Sequence, residues 1–240
     1  DLTTIFSVVK TRNFELIMSQ LDNFLAISDA LGGDAMLRNR LEDASKKLKQ
    51  SLLEAVKELH PKHVFKITED QSKSCSQFIK LFLDTGGSVY STNYDLLLYW
   101  VLMRSEIIDH VDGCGREVLN PGEPSDEHEY SDLFWGKNKA RQNVFYLHGA
   151  LPFFDTGTTI EKEQYSLYSY LLENISERME KGEYPIFVTA GDASQKLEHI
   201  KHNPYLNYCY ESLCEAKGSL VSFGFNFGEY DRHIIDAINK

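Results

Sequence analysis

The chain changes texture at Gly87, and that change constrains its fold more than any single motif. Before Gly87, apolar residues recur at helical spacing. After it come four short apolar runs: Ser88–Tyr90, Val144–Leu147, Ile186–Val188 and Leu220–Phe223. Each is followed by a glycine or a polar turn and then by helical pattern. Short buried strands alternating with helices predict βαβ units and a mostly parallel sheet with helices on both faces. The expected fold class is therefore α/β, with a helical region over 1–84 packed on a sheet region over 85–240, together one compact domain.

Within the first region, Phe14, Ile17, Leu21, Phe24 and Leu25 share a helical face. Gly32-Gly33 breaks it, and Asp34 can cap a second helix carrying Leu37, Leu41, Ala44, Leu48, Leu52 and Val56, ending near His60-Pro61. A shorter helix is expected over Gln77–Leu83. Within the second region, residues 109–140 are polar and hold several glycines and prolines. That pattern predicts a long loop or insertion over one face.

The charge balance excludes some functions. With 25 basic and 36 acidic residues the chain carries −11 formally. Phosphate neutralisation needs clustered Lys and Arg, so no direct nucleic-acid binding is expected. No apolar run approaches the ~20 residues of a membrane span, and no secretory signal is visible, so no membrane contact and a cytoplasmic location are expected. Cys75, Cys114, Cys209 and Cys214 form no CxxC pair, which argues against a zinc ribbon and for free thiols in a reducing compartment.

Three strand ends carry polar residues that could reach a ligand. Asn93 and Asp95 follow the first run, and either can be a helix N-cap or a ligand contact. His148 follows Val144–Leu147; it is either bonded to a neighbouring loop or acts as a general base. Gly149 would let backbone approach a ligand closely. Gly191-Asp192 reads as a capped helix start or a backbone anion site. Gly224 permits close approach, Asn226 offers donors and acceptors, and Asp231 can cap a last helix from His233 to Asn239. The pairs His60/His63 and His199/His202 lack acidic or cysteine partners in the sequence and are expected on the surface. There is no GxSxG elbow, no Walker A and no HExxH.

The order Ser91-Thr-Asn-Tyr-Asp95, then Tyr146-Leu-His-Gly-Ala-Leu151, then Thr189–Leu197 with Asn203–Leu206, then Gly224–Ile234, resembles the SIR2-like family, in particular a bacterial branch of unknown function. The resemblance covers Gly87 to the end. It implies a Rossmann-like fold that takes NAD as substrate, without a metal. Because many bacterial members without a zinc ribbon look like NAD glycohydrolases of anti-phage defence, it implies cleavage of the nicotinamide–ribose bond. Asn93, His148 and Asp95 would be catalytic. Thr92, Tyr94, Gly149, Gly224, Asn226 and Asp231 would contact the dinucleotide. Defence members of the family often act in assemblies, so a homo-oligomer is an expectation. A non-catalytic sensor of NAD or ADP-ribose is the alternative, and a protein deacylase, which normally needs zinc, the third.

The family opens on a strand and a glycine-rich loop that cradles the pyrophosphate. Gly32-Gly33 follows no strand and does not match it. Either an upstream segment supplies that loop or the phosphate site has been lost; the start at Asp1-Leu2 leads to the expectation of the first.

Overall fold

Asp34 organises the first packing unit. In a computed structural model, which describes residues 2–9, 14–104, 109–165, 168–188 and 192–240, Gly32 takes a left-handed φ of 68° and the Asp34 carboxylate accepts the Met36 and Leu37 N–H groups at 3.3 Å. The chain thereby leaves α2 (Phe14–Ala30) and enters α3 (Ala35–Leu59), following α1 (Leu2–Val9). Helices α2 and α3 pack on each other through Ile17, Leu21 and Leu48, with Ile5 and Leu41 beside them. The far end of α3 reaches the main body, where Leu53 and Val56 join a second core. Helix α4 (Glu69–Leu83) starts earlier than the sequence suggests. Thr68 and Gln71 close a reciprocal capping box there, with backbone-to-side-chain bonds of 3.2 and 3.3 Å.

The mostly parallel sheet expected from the sequence is not what forms. Strand β1 (Val89–Ser91) pairs in parallel with β4 (Val144–Tyr146), and that two-stranded sheet ends there among the described residues. The larger sheet is antiparallel throughout. Its order is β2 (Cys114–Gly115), β3 (Phe134–Trp135), β6 (Ile160–Lys162), β5 (Gly149–Asp155), β7 (Pro185–Phe187). The protein is therefore mixed α/β, and the Rossmann-like architecture is corrected.

The reason lies in the connections. A parallel neighbour needs a crossover of roughly a dozen residues, but only Leu147-His148 separates β4 from β5. Strand β5 then returns at once through a tight turn, in which the Thr156 N–H donates to Thr159 O at 3.0 Å and Gly157 takes φ 82°. The run Leu220–Phe223, expected as a fourth strand, joins no sheet. Its Leu220, Val221 and Phe223 are exposed.

Helices still cover both sides of β5. Ala150 and Phe153 face the core shared with Tyr205, Leu206 and Cys209 of α8 (Pro204–Cys214) and with Ile234 of α9 (Arg232–Ile238). Leu151 and Phe154 face the other core, with Tyr99 and Trp100 of α5 (Leu97–Arg104) and Ile175 and Met179 of α6 (Leu171–Glu180).

The 109–140 segment is built into this body rather than laid over it. It supplies β2 and β3, and Asp112 forms a buried ion pair with Lys162 of β6. Burial alone would raise the Asp112 carboxyl. The Lys162 ammonium and the Cys114 N–H, 3.1 Å away, outweigh that and hold it below its ordinary value. Burial would likewise lower Lys162, and Asp112 keeps it above its ordinary value. The Lys162 ammonium also sits 4.5 Å over the Tyr99 ring. No described helix is long and apolar enough to cross a membrane.

Candidate functional site

Strands β1 and β4 run parallel and in register, Ser91 opposite Tyr146. The segments Thr92–Asp95 and Leu147–Gly149 therefore leave the same sheet edge, where α/β sheets bind ligands. The Leu147 N–H donates to Ser91 O at 2.8 Å and extends the pairing by one residue. His148 follows, only 5% exposed. The Thr92 backbone favours the charged form of its ring, as an acceptor facing a ring N–H does. On its other side, His148 Nε2 lies 2.9 Å from Nε2 of His233, the second residue of α9.

Proton counting then assigns the tautomers. With Nε2 turned to His233, the His148 proton facing Thr92 is assigned to Nδ1. Nε2 of His148 then carries a lone pair, and His233 must donate its Nε2–H. That leaves the lone pair on His233 Nδ1, which is buried and has no hydrogen-bond partner. A buried acceptor left unpaired costs on the order of 1–3 kcal/mol.

Both rings stay neutral. Burial, then the facing His233 and the Lys196 ammonium, lower His148 from 6.5 to about 3. Burial and Lys196 lower His233 to about 4, against the opposing pull of Asp231 and Asp236.

Asp231 precedes α9 but makes no capping bond through its side chain. Its carboxylate instead accepts from Lys196 Nζ at 2.7 Å. Lys196 belongs to α7 (Ala193–His202), whose start Asp192 caps by accepting the Ser194 and Gln195 N–H groups at 2.9 and 3.0 Å. One ring nitrogen of His148, one of His233 and a carboxylate oxygen of Asp231 all lie within 4.8 Å of one another. Thr92, His148 and Asp231, read separately in the sequence, are thus brought together.

The other expected residues lie differently. Asn93 is exposed, and its backbone N–H donates to Ser91 Oγ at 3.1 Å. Asp95 caps α5, accepting the Leu97 N–H at 2.8 Å. Tyr94 packs edge-on against Phe187 with ring centroids 5.3 Å apart. Gly149 has φ 79°, and a Cβ there would meet Ile186 O at 2.0 Å. Its close approach is to β7. Gly224, at φ 69°, stands in open space, and Asn226 folds its side chain back to accept the Gly228 N–H at 3.2 Å. Gly191 lies outside the described residues.

Two contributors escaped the sequence reading, His233 and Lys196. His233 was visible only as a helix residue, although Asp231-x-His233 spacing is compatible with joint action. Lys196 carries no local signal, since its role depends on α7 and α9 meeting. His60, expected at the surface, is buried. Its Nδ1 pairs with Pro61 O at 2.9 Å, and its Nε2 accepts the Leu96 N–H at 2.9 Å. His63 stacks on Tyr170 at 4.8 Å. All four cysteines are free, with Cys114 and Cys209 buried.

A family model described as "Domain of unknown function (DUF4917)" matches residues 1–240, so the chain belongs to that family. No curated protein and no solved structure matches it.

Proposed function

We propose that this DUF4917 member hydrolyses the nicotinamide–ribose bond of NAD, giving nicotinamide, ADP-ribose and a proton. The observation that carries the reading is the neutral His148–His233 pair at the parallel strand ends, with the unpartnered lone pair on His233 Nδ1. Nicotinamide leaves as a neutral group from a cationic pyridinium, and the ribose carbon passes through an oxocarbenium-like state. Water attacks such a carbon with little help, so a weak base that is always unprotonated is adequate.

In this reading the C–N bond breaks with its electron pair going to nicotinamide, and the water oxygen bonds the ribose carbon. The water proton goes to His233 Nδ1, and the Nε2 proton of His233 passes to His148 Nε2. Asn93 is assigned to the ribose or the attacking water, and Asp95 to orienting them. Thr92 holds the His148 ring through its backbone. Tyr94, Gly224, Asn226 and Asp231 are assigned to the dinucleotide.

The test is incubation of the full-length protein with NAD, quantifying nicotinamide and ADP-ribose. His148→Ala and Asn93→Ala are expected to slow release by roughly 10²–10⁴-fold. Release at the parental rate in both variants would sink the assignment. NAD or ADP-ribose binding by calorimetry without any nicotinamide release would select the sensor reading instead.

A further inference from the structure

We infer that His148, His233 and Asp231 form a binding site for a divalent first-row transition-metal ion. Two imidazoles and a carboxylate, one donor atom each, lie mutually within 4.8 Å. That donor set suits zinc, iron, cobalt and nickel and is poorly matched to magnesium or calcium, which prefer oxygen alone. The donors come from two separate parts of the chain, β4's end and α9's start, so packing of the core holds them in place.

A further observation points to a ligand. His233, 2% exposed, keeps an unpartnered ring nitrogen beside the cluster. One group opposes the ion. Lys196 already pairs with Asp231 at 2.7 Å and adds a positive charge to the site. Metal entry must draw the carboxylate away from that ammonium, so Lys196 is a built-in competitor.

The inference does not rest on NAD hydrolysis. An ion here takes the lone pairs that the proposed reaction needs, so it would inhibit that reaction.

The experiment is titration of the full-length protein with Co²⁺, read by its visible absorption bands, and with Zn²⁺, read by calorimetry, both without NAD. A single Co²⁺ with tetrahedral or five-coordinate bands is expected. His148→Gln and Asp231→Asn should each weaken Co²⁺ by at least the roughly 10–100-fold that loss of an outer contact alone costs. Lys196→Met should tighten it, a result that damage to folding would not produce. Absence of Co²⁺ binding in the parental protein overturns the inference. So does undiminished binding in folded His148→Gln and Asp231→Asn, which would locate the ion elsewhere, for example at surface histidines. Because NAD is absent, either outcome leaves the hydrolase reading to its own test.

Discussion

Two buried polar pairs of this protein are finished differently. Lys162 and Asp112 complete each other: opposite charges in contact, an additional N–H on the carboxylate and an aromatic face under the ammonium. His148 and His233 do not. They share one proton between facing nitrogens and leave a lone pair with nothing to accept. A buried pair whose valences are all met is scaffold, here fastening the 109–140 segment to β6. A buried pair with one valence open has room for a proton, a substrate group or a cation.

The largest effect that can break this contrast is removal of one partner of the ion pair. Lys162→Met leaves Asp112 buried and uncompensated and is expected to cost about 3–5 kcal/mol. Chemical denaturation measures it. The double variant Lys162→Met with Asp112→Leu should recover much of that loss, whereas no such rescue is expected at the histidine pair.

Acid separates the clusters by sign and window. The unfolded chain protonates His148 near 6.5, and the folded protein only near about 3. The unfolded state therefore binds more protons between those values. This stability is complete above about 6.5 and is lost as pH falls. Moving from pH 6.5 to 5 should cost on the order of 2 kcal/mol through His148. Urea melts at the two pH values measure it, and His148→Gln should flatten the dependence. Asp112 is held below its ordinary value, so its contribution is present above about 3.9 and declines only below it. An equal slope in His148→Gln would contradict the assignment.

Of similar size is the effect at His60, a buried histidine whose two nitrogens are both satisfied. His60→Ala strands the Leu96 N–H and is expected to cost roughly 1–3 kcal/mol, with nicotinamide release per folded molecule unchanged. The exposed cap Asp34→Ala should cost about 1 kcal/mol or less, read as a small shift in the denaturation midpoint.

The same contrast explains what could be read from the sequence. Local features were legible: the Gly32-Gly33 break, the Asp34 and Asp192 caps and the buried stripe through Ile17, Leu21, Ala44 and Leu48. Short-range chemistry decides each of these within a few residues. Sheet direction was not legible, because the short apolar runs look alike whether their neighbours run parallel or antiparallel. The two-residue link Leu147-His148 and the turn at Thr156–Thr159 decide it, and neither carries a strong pattern.

The site was half legible. Thr92, His148 and Asp231 stood out as strand-end or cap residues. The meeting of His148 with His233 spans 85 residues of sequence. Only the packing of α9 against α7 and α8 creates it.

The most direct measurement of the central claim is the stoichiometry of NAD breakdown by the full-length protein beside its His233→Ala variant, with folding checked by circular dichroism. The account predicts nicotinamide and ADP-ribose in equal amounts from the parental protein, and a rate lower by roughly 10²-fold or more in the variant. Equal rates in the two proteins, or NAD left intact by the parental protein, would contradict it.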